Sequence, residues 1–366
     1  MRLSLSSSPL LLFAARAQAF RTAGFRPARG QGWSVLWGRP GDVLAEETLR
    51  ALGPFQRVNH FPGTWEMGRK DRLYRSIAAA RRAKGGSAFD IVPRFFLLPT
   101  DEGAFRTELA HNPGHTYIAK PVASSRGRGV RVLPDAAAAL AAGRLAGECV
   151  VQRYIEDPLL IDGFKFDLRL YVAVTSLDPL RVYVHEQGLA RFASRQYSSS
   201  AASYCQRRRH LTNCAVNRCC PGRRQSGPKP PQGADQGAGG AGDCSSSSDE
   251  EEEGPGGSGS SGGAASKWSL ARLRRRLEAD GASWGAVWEQ VCDLAAKALI
   301  AAEPRLGVCA RAASHHRGSF FELFGMDVLL DARLRAWLLE FNTTPSLRVE
   351  SRVDARVKGA VVADLL

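Results

Sequence analysis

Gly325-Met-Asp-Val-Leu-Leu-Asp-Ala-Arg-Leu-Arg-Ala-Trp-Leu-Leu-Glu-Phe-Asn342 is two apolar runs around a short polar turn. That spacing predicts an antiparallel hairpin of Phe320–Leu330 and Leu334–Phe341, turning at residues 331–333. Glu340 and Asn342 are two residues apart and so share one strand face, and Asp327 on the adjoining strand can stand opposite them. Leu338, Leu339 and Phe341 around them imply partial burial, and buried carboxylates are usually paired or metal-bound. Three oxygen donors converging on one point suit Mg²⁺, which takes few protein ligands and completes its shell with water or phosphate.

Upstream, Lys165-Phe-Asp-Leu-Arg169 reads as a strand with Lys165, Asp167 and Arg169 on one face. Two readings fit: a cross-strand ion-pair ladder, or a nucleotide cleft in which the cations hold phosphates and the acid complements ribose or metal. Further upstream, Lys120-Pro-Val-Ala-Ser-Ser-Arg-Gly-Arg-Gly-Val130 joins two strands through a Ser/Gly-rich loop. Successive backbone N–H groups in such a loop can wrap phosphate oxygens, with Gly127 and Gly129 permitting close approach. No Gly-Lys-Ser/Thr follows, so this is not a Walker loop. A basic hairpin tip explains the segment equally well.

Around these segments the pattern is mixed. Strand composition recurs at Tyr117–Lys120, Gly129–Leu133, Glu148–Tyr154, Phe166–Ser176 and Arg181–Glu186, and a helix is expected at Asp135–Gly143. Apolar residues at three- and four-residue spacing predict helices at Trp268–Ala279 and Trp284–Ala302. The class is α+β, with antiparallel sheets and helices packed on them. Residues 218–266 turn to Gly, Ser, Pro and Gln with the acidic run Asp249–Glu253, a composition expected to be a disordered insertion within a domain. The N-terminal segment holds no acid before Asp42 but carries Arg2, Arg16, Arg21, Arg26 and Arg29. A transit peptide has that composition; the folded alternative, a helix at Pro9–Phe20 leading to a strand at Trp33–Trp37, is favoured because apolar residues run on without a break.

Fifty Lys and Arg against 36 Asp and Glu give +14 over 366 residues, so an acidic partner is expected. Nucleic acid is disfavoured because no basic motif with interleaved aromatics occurs, and no apolar run is long enough to span a bilayer. Five of the eight cysteines (Cys205, Cys214, Cys219, Cys220 and Cys244) lie in or beside the polar stretch without a Cys-x-x-Cys pair, and only His210 is near. Free thiols are expected ahead of zinc. Cys149, Cys292 and Cys309 read as small core residues, and the cysteine usage suggests an intracellular protein.

Loop, basic strand and acidic hairpin follow each other in the chain order of the ATP-grasp architecture. Asn59-His-Phe-Pro62, Arg69-Lys-Asp-Arg-Leu-Tyr74, Ile118–Gly129, Leu160–Tyr171, Gly188-Leu-Ala-Arg-Phe-Ala193, His210-Leu-Thr-Asn213 and Phe321–Asp327 closely resemble the tubulin tyrosine ligase-like family, in its polyglutamylase branch. The resemblance implies an ATP-grasp-like ligase whose antiparallel sheets clamp ATP. It implies a small N-terminal α/β domain at 1–66, a central domain at 67–152 with the phosphate loop, and a C-terminal domain at 153–366 interrupted by the insertion. By the same resemblance Lys120, Arg126, Gly127 and Lys165 contact ATP phosphates; Gln152, Arg153, Tyr154 and Ile155 form the adenine hinge. Phe166 and Asp167 lie in the nucleotide site, Asp167 on the ribose side, and Thr212 and Asn213 complete the pocket. Asp327, Glu340 and Asn342 hold Mg²⁺, Arg191 grips the free amino acid's α-carboxylate, and Lys267 neutralises the glutamate side chain. Two departures stand out: Cys214-Ala215 replaces the Tyr-Ser of the polyglutamylases and removes two hydroxyls from the amino-acid pocket, and Thr343-Thr344 precedes Pro345 where the family pair ends in Ser.

The implied reaction is ATP- and Mg²⁺-dependent addition of free glutamate to side-chain carboxylates of tubulin's acidic tails, through an acyl-phosphate. Lys120, Lys165, Arg191 and Glu340 are the expected catalytic set, in a monomer on the microtubule cytoskeleton of the cytoplasm, at the cilium or basal body. A glycine ligase of the same family, which has no need of Lys267, and a silent microtubule-binding module are the alternatives. Because Asp249–Glu253 has the composition of an acidic tail, it is further expected to occupy the acceptor groove as a pseudosubstrate or to be glutamylated itself.

Overall fold

The computed structural model describes residues 2–5, 20–21, 23–28, 30, 32–217, 267–314, 316 and 318–365. The expectations for Asp249–Glu253, for the insertion, and for most of the Pro9–Phe20 helix fall outside them. Within them the class is α+β, as expected, with three sheets. The strands are β1 (Arg2–Leu5), β2 (Arg26–Pro27), β3 (Val35–Trp37), β4 (Arg57–Val58), β5 (Phe95–Leu98), β6 (Tyr117–Pro121), β7 (Arg131–Leu133), β8 (Cys149–Arg153), β9 (Leu160–Ile161), β10 (Phe164–Leu177), β11 (Leu180–Val184), β12 (Leu189–Phe192), β13 (Lys267–Ser269), β14 (Glu322–Leu330) and β15 (Ala336–Asn342). The N-terminal sheet is parallel in the order β2-β1-β3-β4. A four-stranded antiparallel sheet runs β5-β8-β6-β7. The third is antiparallel and seven-stranded, β13-β12-β10-β14-β15, with β9 and β11 also on β10.

Strand β10 sets the layering. Phe164, Phe166, Leu168, Leu170, Val172 and Val174 alternate onto one face and are buried in the main core, while Lys165, Asp167 and Arg169 alternate onto the other. Helix Trp284–Ala313 covers the apolar face with Val287, Val291, Leu294, Ala298, Leu299 and Ala302, each large side chain contributing roughly 1.5–3 kcal/mol by burial. It starts on Ser283, whose side chain accepts from the Ala286 N–H. It does not stop at Ala302 as predicted, because the buried stripe resumes at Leu306 beyond Pro304. Trp268 also departs from its predicted helix. Residues 267–269 pair with β12, and Ser269 caps a helix beginning at Leu270. Helix Arg352–Leu365 packs Val357, Val361 and Val362 on the far end of the charged face, against Tyr171, Leu189 and Leu323.

The N-terminal layer is fastened to the same sheet. The buried Glu322 carboxylate at the start of β14 accepts from Phe61 N–H (3.1 Å) and Thr64 Oγ1 (2.6 Å) and lies 2.7 Å from His60 Nδ1. Among the described residues no helix is long and apolar enough to cross a membrane.

Candidate active site

Residues directly paired across neighbouring strands project to the same face. The register pairs Lys267 with Arg191, Arg191 with Asp167, Arg169 with Asp327, and Asp327 with Glu340. Five strands therefore place six charged side chains on one face of the sheet, in two cross-strand rows that meet at neighbouring positions of β10. The fork of Arg191 donates from Nε and Nη2 to the two Asp167 oxygens (2.7 and 2.6 Å), and Nη2 also reaches Asp327 Oδ2 (2.9 Å). Arg169 donates from Nε and Nη2 to Asp327 at 2.6 and 3.1 Å, and Thr212 Oγ1 donates to Asp167 at 2.7 Å. Burial alone would push the Asp327 carboxyl up, but the charges of Arg169 and Arg191 and their hydrogen bonds hold it well below the usual carboxylate range. Burial likewise opposes the Arg191 charge, and Asp167 and Asp327 more than offset it, so the guanidinium stays ionised.

Beside these rows, a cleft opens between the two antiparallel sheets. Lys120, Arg126, Gly127, Gln152, Arg153, Tyr154, Ile155, Lys165, Asp167, Thr212, Asn213, Asp327 and Glu340 all line it, so the structure brings most of the expected nucleotide residues together. Lys120 Nζ donates to Gln152 Oε1 (2.7 Å) and Lys165 Nζ to Tyr154 Oη (2.8 Å). Burial pushes the Lys120 ammonium down to about 8 despite the favourable charge of Glu340, with Lys70 lowering it further. Burial brings Lys165 to about 7, Asp167 opposing and Lys120 adding to the effect. Such a cleft is short of negative charge and suits a polyanion. Gly127 has φ +72°, and a Cβ there would lie 2.7 Å from Asn213 Oδ1, so the Ser/Gly-rich loop can close on Asn213 only without a side chain.

Three expected residues stand elsewhere. Phe166 faces the main core, its ring 5.4 Å from Phe192; strand alternation puts it on the face opposite Lys165 and Asp167, away from the cleft. Arg191 has both arms of its fork on Asp167, because the β10–β12 register sets the two side by side. Lys267 is held by Asp354 Oδ2 (2.8 Å) and Glu350 Oε2 (3.3 Å) near the start of the C-terminal helix. Burial lowers its ammonium, but Cys214, Asp354 and Glu350 together raise it. The half-buried Cys214 also raises Arg191, so the thiol stands in the field of both cations. His210 is engaged by Tyr154 and Ser203, and Cys149, Cys205, Cys214, Cys292 and Cys309 are free thiols. Cys292 and Cys309 are only half-buried, not core residues.

Asp327 and Glu340 are direct cross-strand partners, and Asn342 pairs with Gly325, to whose carbonyl its Nδ2 donates at 3.3 Å. Two carboxylates and an amide oxygen form a hard donor set that fits Mg²⁺. Among the described residues no group of three or more His, Cys, Asp or Glu is placed to hold a metal ion.

A family model described as the tubulin-tyrosine ligase family matches residues 47–227 and 253–366. The chain belongs to that family. It is 38% identical over 339 residues to the tubulin polyglutamylase TTLL5 of Homo sapiens, covering 91% of this chain and 23% of that protein. It is 34% identical over 338 residues to the human tubulin monoglutamylase TTLL4 (92% and 25%) and 35% identical over 346 residues to the tubulin polyglutamylase ttll-5 of Caenorhabditis elegans (91% and 42%). The chain thus spans less than half the length of each of these relatives.

In this member of the tubulin-tyrosine ligase family, sequence reasoning left Lys70 without a role. Its buried ammonium donates to Ser124 O and pairs with Glu340 Oε2, both at 3.0 Å. It ties the Ser/Gly-rich loop to the acidic hairpin. The signal was its place in Arg69–Tyr74, whose polar start opens helix Lys70–Lys84.

Proposed function

We propose that this chain is an ATP- and Mg²⁺-dependent protein–glutamate ligase acting on side-chain carboxylates of tubulin's acidic tails, on the microtubule cytoskeleton. The observation that carries the reading is the cleft itself: three buried ammonium groups (Lys70, Lys120 and Lys165) face two carboxylates on adjacent strands (Asp327 and Glu340). The relatives' names supply the acceptor and the amino acid.

ATP lies between the two antiparallel sheets, its phosphates against Lys120, Lys165, Arg126 and the loop at Gly127, its base along Gln152–Ile155. An acceptor carboxylate oxygen attacks the γ-phosphorus, the bond to the β–γ bridging oxygen breaks, and ADP leaves. The α-amine of free glutamate then attacks the acyl carbon, gives up a proton, and phosphate departs with the C–O bond electrons. Such steps need positioning and charge neutralisation, not a protein nucleophile. Asp327, Glu340 and Asn342 would hold Mg²⁺, which when bound neutralises phosphate charge. Arg169 and Arg191 keep Asp327 ionised for that purpose. Lys267 has a third N–H beyond those engaged by Asp354 and Glu350, and Arg191 retains Nη1; both offer donors to the incoming glutamate.

One observation favours a second reading. Asp354 and Glu350 already neutralise Lys267, which leaves room for glycine, an amino acid without a side-chain carboxylate. Incubation of the chain with tubulin, Mg-ATP and either labelled glutamate or labelled glycine decides between them. Glutamate incorporation supports the main reading, glycine incorporation the second, and ATP-independent labelling or none refutes both.

A further inference from the structure

Lys165 heads a hydrogen-bond chain through Tyr154 to His210, and the Tyr197 hydroxyl is a further hydrogen-bond neighbour of Tyr154. Its buried ammonium donates to Tyr154 Oη at 2.8 Å, over the Tyr154 ring at 4.3 Å. The Tyr154 hydroxyl has a single hydrogen, and 3.0 Å away lies His210 Nδ1. A phenol oxygen can accept twice, so the Lys165 contact does not by itself place the hydroxyl hydrogen; the far side of the His210 ring decides whether Nδ1 is free to accept it. On the other side of the ring, Nε2 lies 3.0 Å from Ser203 O, an acceptor only, so Nε2 carries the hydrogen. Ser203 Oγ, 3.2 Å from Nε2, donates its own hydrogen to Ser198 O or Ser200 O. A neutral His210 agrees with its surroundings: burial pushes it down to about 4, and the Lys165 charge lowers it further. The ring is fixed among Tyr154, Tyr197 and Tyr204 at 6.0, 5.3 and 5.1 Å. Asp167, on the same strand face, and Lys120, across the cleft, also face Lys165.

We propose that Tyr154 and His210 are positioning residues that aim the Lys165 ammonium, holding one N–H back on Tyr154 so that the others point at the nucleotide phosphates. The proposal rests on Lys165 being a phosphate contact. It assigns to the Tyr154 side chain a task separate from the adenine hinge, and to His210 a task that no metal or acid–base role supplies.

Three readouts test it on the full chain: Mg-ATP affinity by calorimetry, the ATP KM against kcat for tubulin labelling, and the His210 tautomer by ¹⁵N NMR. Lys165→Met should weaken Mg-ATP binding by roughly a hundredfold, and Tyr154→Phe by about tenfold, as for the loss of a hydrogen bond to a charged group. The phenylalanine keeps the ring packing, so its unfolding midpoint should stay near the parent's. His210→Leu should resemble Tyr154→Phe, His210→Asn should recover affinity by restoring an acceptor for the hydroxyl, and the Tyr154→Phe/His210→Leu double variant should be no weaker than His210→Leu alone. If Lys165→Met binds Mg-ATP like the parent, the phosphate reading fails and the proposal falls with it. If Lys165→Met is weakened but Tyr154→Phe and His210→Leu are not, only the positioning chain is overturned. Should the leucine variant not fold, the tautomer decides: hydrogen on Nε2 supports the chain, and hydrogen on Nδ1 overturns it.

Discussion

Asp167→Asn tests the charge network at a buried position. Asp167, Arg191, Asp327 and Arg169 alternate in sign and sum to zero, and all four side chains are buried or nearly so. The substitution keeps volume, and the amide oxygen still accepts from Thr212. It leaves two guanidinium groups sharing the one carboxylate of Asp327, a net buried positive charge. Breaking a buried pair from one side costs about 3–5 kcal/mol, which shifts a urea midpoint by roughly 1–2 M for a chain with a slope of about 2–3 kcal/mol/M. Equilibrium urea unfolding followed by tryptophan fluorescence measures it. Asp90→Asn is the control, because Asp90 pairs with Arg81 and Arg335 at a half-exposed site, where such pairs are worth under about 1 kcal/mol. Equal shifts for the two variants would refute the claim that the four charges form a mutually dependent buried network.

Further outcomes follow from the same geometry. Glu340→Gln removes a donor charge and the partner of Lys70; tubulin labelling should drop at least about a hundredfold with the circular dichroism unchanged, and near-parent activity would remove Glu340 from the site. Gly127→Ala forces a Cβ against Asn213 at positive φ; it should cost about 1–2 kcal/mol of stability and raise the ATP KM, and a parental KM would contradict the loop closure. Lys165 and Lys120 sit at about 7 and 8 in the free cleft, so Mg-ATP binding at pH 8 should take up roughly one to two protons as both recharge, against almost none at pH 6. Calorimetry in buffers of different ionisation enthalpy reads this. Because both lie below the usual lysine value, the unfolded chain binds more protons between about pH 7 and 10.5, and these two groups favour the folded state increasingly as pH rises through that window.

Much of the site could be read in the sequence because a strand has a period of two: Lys165, Asp167 and Arg169 were bound to share a face, and so were Glu340 and Asn342. Register was not readable. Whether Asp167 meets ribose or Arg191 depends on which β12 residue stands opposite it, and nothing local in Gly188–Ala193 specifies that. The ladder reading of the 165–169 strand is realised in its ion pairs, Asp167 with Arg191 and Arg169 with Asp327, and the same face opens on the cleft through Lys165 and Asp167. Phe166 was misplaced by carrying over a whole motif where alternate residues have opposite surroundings. Lys70 and the Tyr154–His210 chain stayed hidden because they join segments far apart in the chain. Trp268 was read as helical because a three-residue strand is too short to show a period.

Strands β12 and β13 are hydrogen-bonded neighbours, although residues 193–266 lie between them in the chain. The closing ends of that excursion are fixed by backbone pairing and by the core around Trp268, so its length hardly enters the energetics. Strand pairing, not chain continuity, is therefore what holds Lys267 beside Arg191. The same property would let the protein be made as two co-expressed polypeptides, cut between residues 218 and 266, that reassemble through this strand pair.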